Sequence, residues 1–154
     1  MKFSDSLGMS HVMSPEEEKR LEQKLARACK DLPIILLYIH GSYAAGTQNP
    51  LSDVDLAVLM EHDAGLDRKR RFKVITALDE TCGRDDMDLV VLNTAGPIIK
   101  DRVVRNGRIL YEKSEEDRIR FEASAIKESL DFKHFSREYD DALFSQLKEG
   151  RFID

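Results

Sequence analysis

A glycine-serine corner, followed ten residues later by two alternating aspartates, constrains this chain more than any other feature. An apolar run over 34–39 stops just before Gly41 and Ser42, which predicts a buried strand that delivers a tight turn at its carboxyl end. Ten residues rich in turn formers then lead to Asp53 and Asp55 at the start of a second apolar run. Because successive strand residues point to opposite faces, the two carboxylates share one face.

The residue types at the corner and in the second strand suit a phosphate and a metal ion. Gly41 lets the backbone approach a ligand closely, and Ser42 offers a hydroxyl and a backbone N–H to an anion. Two carboxylates about 4 Å apart repel by roughly 4 kcal/mol at an effective dielectric near 20, so a cation would stabilise them. Mg²⁺ takes one or two carboxylates and completes its shell with water and phosphate oxygens. The plain alternative is that Asp53 and Asp55 simply begin a strand at the solvent edge.

Together these residues resemble the signature of the DNA polymerase β-like nucleotidyltransferases, which reads Gly-Ser, ten residues, Asp-x-Asp. The resemblance covers roughly 34–111 and is closest to the minimal nucleotidyltransferase (MNT) branch, which includes antitoxins paired with HEPN-domain toxins. It implies an α+β fold in which a small mixed sheet is flanked by helices and followed by a long C-terminal helical extension. The family uses a third carboxylate on the neighbouring strand, and Asp88 in the strand-like run 87–92 matches it. The implied catalytic and metal-binding residues are Asp53, Asp55 and Asp88, and the implied nucleotide-binding residues are Gly41 and Ser42.

The resemblance also implies an activity. A chain of this branch transfers AMP from ATP, with two Mg²⁺ ions, to a hydroxyl, here a tyrosine of a HEPN-type ribonuclease toxin, and acts as the antitoxin of a type VII-like pair. Two alternatives stay open: inhibition of the partner by occlusion without catalysis, and nucleotidyl transfer to a small molecule. One departure favours occlusion, because Ala45 stands where many relatives carry the arginine of Gly-Ser-x-Ala-Arg-Gly. If the site is active, Arg102 or Arg105 is a candidate to replace that arginine.

Length, net charge and cysteine content restrict the kinds of partner that this chain can have. With 154 residues the chain is expected to form one compact domain plus a terminal extension. A net charge of −5 argues against a dedicated nucleic-acid-binding protein, whose footprint is a basic face, and favours a protein or small-molecule acceptor. Two cysteines without paired spacing indicate free thiols and a cytoplasmic location. No apolar run reaches transmembrane length, so no membrane association is predicted.

The chain divides into a flexible leader over 1–13, a nucleotidyltransferase domain over 14–112 and a helical extension over 113–154. Ser14 is the predicted N-cap of the first helix, with Leu21, Leu25 and Ala28 as its buried stripe. Strands are predicted over 34–39, 53–60 and 86–92, with a short edge strand over 109–111. A helix over 66–82 is expected to turn its apolar residues inward, namely Phe72, Ile75, Ala77 and Leu78.

From about Ser114 the sequence indicates one or two long amphipathic helices. A single helix to Gln146 would be about 50 Å long at 1.5 Å per residue, longer than a domain of this size needs. Several late aromatics are candidate anchors for a homo- or hetero-oligomer: Phe132, Phe135, Tyr139, Phe144 and Phe152. The alternative is a helix that wraps its own sheet or kinks back on it.

Three weaker signals complete the pattern. The basic run 68–73 is more typical of a solvated helix face than of an RNA contact. His40 precedes the corner and could contact substrate, although a strand-end histidine is usually packed and hydrogen-bonded. Asp86 shares the face of Asp88 and could lend charge to the site.

Overall fold

The computed structural model describes residues 12–150, which form a four-stranded mixed sheet with helices on both faces. The elements are α1 (Pro15–Lys30), β1 (Ile34–His40), α2 (Gly41–Ala45), β2 (Val54–Met60), α3 (His62–Leu66), α4 (Arg68–Cys82), β3 (Met87–Val91), α5 (Pro97–Asn106), β4 (Arg108–Glu112) and α6 (Glu115–Lys148). The strand order is β3-β2-β1-β4; β1 pairs antiparallel with β2 and β4, and β2 pairs parallel with β3. The predicted α+β fold, with its mixed sheet and long C-terminal helix, is confirmed.

The first helix begins as its sequence predicts. The Glu17 N–H donates to Ser14 Oγ at 3.2 Å, and the Ser14 N–H donates to Glu17 Oε2 at 2.7 Å. This reciprocal cap satisfies two backbone donors that a helix start otherwise leaves unpaired. The buried stripe is Leu21, Leu25 and Cys29, with Ala28 only half-buried.

Both faces of the sheet are covered, which explains the continuous apolar run of β1. One face packs against α1 and α4 through residues such as Leu25, Leu37, Leu56 and Leu78. The other packs against α5 and α6 through residues such as Leu36, Tyr38, Ala57, Val103 and Phe121. Tyr38 also donates its buried hydroxyl to Glu122 of α6 at 3.0 Å, so α6 is fixed to the sheet by a hydrogen bond as well as by apolar contact.

The predicted helix over 66–82 is α4 (Arg68–Cys82), and Leu66 is the last residue of the separate short helix α3. The side chain of Asp67 accepts the Lys69 N–H at 2.9 Å and caps α4. This cap sets the start of α4 two residues later than predicted.

Phe72 was wrongly predicted to point inward. It is 68% exposed, while Val74, Leu78 and Cys82 form the buried line of α4 at steps of four residues. Phe72 and Val74 are two positions apart, about 200° around a helix, and so lie on opposite sides of it. The residues of the basic run 68–73 are exposed except for the half-buried Arg71, as expected of a solvated segment.

The C-terminal helix α6 is continuous over 34 residues, about 51 Å. Its first half packs against α5 and the sheet, and two ion pairs tie it to α5: Lys100 to Glu128 at 3.2 Å and Lys133 to Asp101 at 3.8 Å. Of the one or two long helices predicted, the structure has one, and α6 shows no break at which it could turn back toward the sheet.

Residues 1–11 and 151–154 lie outside the described part of the chain, and with them most of the predicted leader and Phe152. Met13, at the end of the predicted leader, is buried in the core beside α1. Over 12–150, no helix is long and apolar enough to cross a membrane.

Candidate active site

At the glycine-serine corner β1 passes directly into the short helix α2, whose first two residues are Gly41 and Ser42. Gly41 has φ +67°, a left-handed conformation that side chains disfavour. The Thr47 N–H donates to the Ser42 carbonyl at 3.0 Å, and Tyr43 is buried in the core. Anchored in this way, the corner presents Gly41 and Ser42 at the surface end of β1.

Three predicted site residues lie on one face at one end of the sheet. Parallel pairing sets Asp55 of β2 opposite Asp88 of β3, and antiparallel pairing sets Asp55 opposite His40 of β1. Asp53 lies two residues before Asp55, directly before β2 begins. Since neighbouring strands lie about 4.8 Å apart, the three carboxylates and the imidazole share one small surface.

The corner approaches the carboxylate of Asp55 so closely that no side chain fits between them. A Cβ added to Gly41 would overlap Asp55 Oδ2. Position 41 therefore requires glycine for two reasons: its left-handed backbone conformation and the carboxylate that lies beside it. This contact joins the predicted phosphate-binding turn to the predicted metal-binding carboxylates.

Asp55 is held in an environment that opposes its negative charge. Burial raises the pKa of its carboxyl group, the charges of Asp88 and Asp53 raise it further, and His40 lowers it. Asp53 and Asp88 themselves are exposed. A cation at this place would favour the ionised form of all three carboxylates.

The donor set fits an ion that is shared with a bound phosphate. Among residues 12–150, no three His, Cys, Asp or Glu side chains lie close enough together to enclose an ion unaided. Mg²⁺ does not need such a cage, because it binds through one or two carboxylates together with water and substrate phosphate oxygens. The exposed oxygens of Asp53 and Asp88 beside the half-buried Asp55 are of that kind.

The position of His40 in the structure supports a role in this site more strongly than its sequence context did. Its Nε2 atom is buried and has no hydrogen-bond partner in the described structure, although a packed strand-end histidine was expected to have one. Buried polar atoms are rarely left unsatisfied. The sequence signal was its position directly before Gly41, but the register that sets it opposite Asp55 is a tertiary feature.

Asp86 and Arg105, two charged residues considered for the site, already have partners. Arg84 donates to Asp86 through Nε and Nη2 at 2.7 and 2.6 Å, and this pairing lowers the pKa of Asp86. Asp86 therefore does not lend an uncompensated charge to the site. Ala45 is exposed, and Arg105, a candidate to replace the missing arginine, donates to the buried Asp101 at 2.8 Å.

Comparison with known proteins assigns the class. The family model "Polymerase beta, Nucleotidyltransferase" matches residues 23–116, and the chain belongs to this family. Protein adenylyltransferase MntA of Shewanella oneidensis is 33% identical over 123 residues, which cover 76% of this chain and 81% of MntA. Nucleotidyltransferases of this type generally use a divalent metal ion with ATP.

Two solved structures are also similar. A toxin-antitoxin crystal structure with AMP-PNP is 28% identical with a TM-score of 0.60, covering 82% of this chain and 98% of the other. A tri-AMPylated Shewanella oneidensis HEPN toxin in complex with its MNT antitoxin matches at 24% identity and a TM-score of 0.59, covering 84% and 98%. The second likeness shows a shared fold. The predicted family and enzyme class are confirmed.

The close approach at Gly41 predicts a specific defect in Gly41→Ala. The new methyl group would displace the Asp55 carboxylate, so we expect affinity for ATP with Mg²⁺ to fall at least about tenfold, the equivalent of ~1.4 kcal/mol. Gly46→Ala is the matched control, because Gly46 has a similar φ of +71° but nothing within 4 Å of an added Cβ. Both variants carry a left-handed strain of about 1–2 kcal/mol. Titration calorimetry and thermal melts separate the two effects, and equal affinity losses in both variants would contradict the contact with Asp55.

Proposed function

We propose that this chain transfers AMP from ATP to a tyrosine hydroxyl of a HEPN-type toxin and thereby acts as its antitoxin. The observation that carries the proposal is the placement of Asp55, which lies in register with Asp88 while the backbone of Gly41 lies against its carboxylate. A relative that matches most of the chain is a protein adenylyltransferase. A toxin-antitoxin with an ATP analogue shares the fold.

Each residue of the site has a distinct role in this proposal. Asp53, Asp55 and Asp88 would hold two Mg²⁺ ions, and Gly41 and Ser42 would bind the distal phosphates through backbone N–H groups and the Ser42 hydroxyl. When bound, Mg²⁺ neutralises phosphate charge and lowers the pKa of the attacking hydroxyl.

The reaction is an in-line displacement at the α-phosphorus. The tyrosine oxygen forms a new bond to that phosphorus, the bond to the bridging oxygen breaks, and pyrophosphate leaves with the electron pair. Asp88 accepts the hydroxyl proton on its carboxylate. Asp88 is exposed and lies on the edge strand β3, so a protein acceptor can approach it from the open side of the sheet.

A reaction that consumes ATP agrees with the reducing environment that the thiols indicate. Cys29 and Cys82 are buried and form no disulfide. We therefore place the protein in the cytoplasm.

Occlusion of the partner without catalysis is the second candidate. The exposed Ala45 favours it, because the corner lacks the arginine that many relatives carry there. Arg105 pairs with Asp101, which leaves the exposed Arg102 as the remaining candidate to replace that arginine. In this case the carboxylates would be vestigial and binding alone would silence the toxin.

Labelled ATP tests the proposal. The full-length chain is incubated with Mg²⁺, a HEPN-domain protein encoded beside it, and ATP labelled at either the α- or the γ-phosphate. We expect the α-label on the partner and the γ-label in pyrophosphate. The label should disappear when the acceptor tyrosine of the partner is replaced by phenylalanine. A γ-label on the partner, or a stable complex without either label, would overturn adenylyl transfer.

A further inference from the structure

In its first half, α6 buries one face against the rest of the chain. The same face continues into the second half of α6, where no described residue covers it. Ala125 and Ser129 are almost fully buried on this face, beside Phe121. The same face then carries an exposed series that we call the distal stripe: Phe132, Phe135, Tyr139, Leu143 and Leu147. The steps along the face are mainly three and four residues, the spacing at which one helix packs along another.

The distal stripe is large enough to be an interface. Its three aromatic side chains are 49–72% exposed, so they alone leave roughly 350 Å² of apolar surface open. Contiguous apolar patches of this size on a monomer mark interaction sites. Two leucines and a polar rim extend the stripe over about four helical turns, toward the ~800 Å² per partner of a standard interface.

The two flanks of the distal stripe differ in charge. Asp131 and Glu138, seven residues apart, follow one flank. The opposite side carries Arg137, Lys133, which pairs with Asp101, and Lys148, which lies 5.0 Å from the Phe144 ring. The acidic flank disfavours nucleic acid and anionic lipid on that side, and it complements a basic flank on a protein.

A second copy of this chain suits the stripe less well in an antiparallel arrangement. In an antiparallel pairing of identical helices, each flank meets the same flank of its partner. The acidic side with Asp131 and Glu138 would then face itself, and opposed like charges disfavour association.

We propose that the distal stripe docks one amphipathic helix of the acceptor protein, apolar along one face and basic along a flank. The identity of this partner rests on the proposed function, and its helical form rests on the spacing of the stripe. The docked helix would extend the α5–α6 pair. Because α5 also packs beside the glycine-serine corner, docking holds the acceptor next to an element that borders the candidate active site.

Phe135→Glu in the full-length chain tests the docking surface. The matched control is Phe72→Glu, because Phe72 is 68% exposed against 72% for Phe135 but lies on α4. Truncation of a central interface aromatic often weakens binding by about thirtyfold or more. We expect that loss in the dissociation constant for the purified acceptor protein with Phe135→Glu and no loss with Phe72→Glu. The KM for the acceptor in AMP transfer should rise by the same factor.

The outcomes separate docking from chemistry. If Phe135→Glu binds the acceptor as tightly as wild type, the docking proposal is wrong even when AMP transfer proceeds. If wild type binds the acceptor but transfers no AMP, and Phe135→Glu loses the complex, docking stands and adenylyl transfer falls. Light scattering decides the remaining case, because a wild-type dimer that Phe135→Glu converts to a monomer identifies a second copy as the occupant and overturns the proposal. Absence of any complex between the wild-type chain and the acceptor overturns it as well.

Discussion

Replacing Asp53 and Asp55 together with asparagine is expected to abolish nucleotidyl transfer while leaving the fold intact. Each substitution removes a charge from the ion site with little change in side-chain volume. Ionisation of Asp55 does not stabilise the metal-free fold, because burial and the neighbouring acidic residues raise the pKa of its carboxyl group. Without Mg²⁺, the double variant should therefore melt at or slightly above the wild-type temperature. Transfer of α-label from ATP to the partner should fall to background.

A second readout does not depend on activity. A ligand present at 100 times its dissociation constant stabilises a folded protein by about 2.7 kcal/mol. ATP with Mg²⁺ should raise the melting temperature of the wild type by a corresponding amount and leave that of the double variant unchanged. Asp79→Asn, an exposed aspartate on α4, is the control that should keep both the shift and the transfer. Persistent wild-type transfer in the double variant at saturating Mg²⁺ would refute the assigned roles.

The same double variant distinguishes the enzyme from an occluding antitoxin, because it keeps the distal stripe and lacks the chemistry. Neutralisation of the partner by the double variant at stoichiometric amounts would establish occlusion. We instead expect neutralisation by the wild type alone, at substoichiometric amounts and only with ATP present.

Asp88→Asn is expected to separate chemistry from nucleotide capture. Asp88 is exposed on the edge strand, whereas Asp55 lies at the centre of the row beside Gly41. Loss of Asp88 should therefore leave affinity for ATP with Mg²⁺ near normal and reduce transfer by ~10²–10⁴, the range for removal of a general base. Calorimetry and single-turnover transfer measure the two quantities separately.

Asp86→Asn is the control for Asp88→Asn, because Asp86 lies directly before the same strand. Its carboxylate is bound by Arg84, so its replacement should lower thermal stability and spare the rate of transfer. If Asp88→Asn loses binding and rate in equal measure, Asp88 is a structural or capture residue and the proton acceptor lies elsewhere.

Local sequence signals determined a large part of this fold. The cap formed by Ser14 and Glu17 involves residues three apart in the sequence, so the first helix was readable without tertiary information. The apolar runs located the strands to within a residue or two, because buried strands need apolar side chains wherever the sheet lies in the molecule. The spacing from Gly41 to Asp53 indicated the family, since a short strand-turn-strand unit brings its own residues together.

Tertiary structure alone decided the features that depend on which surfaces meet. Phe72 is apolar yet exposed, because the position of α4 on the sheet selects the line through Val74 and Leu78. The pairing registers bring His40 and Asp88 to either side of Asp55, and register between strands depends on which of their faces become buried together in the folded chain. On α6, one continuous apolar face is covered as far as Ser129 and open from Phe132 onward. Both halves carry apolar residues at the same helical spacing, and the position at which α5 ceases to cover α6 makes one half core and the other surface.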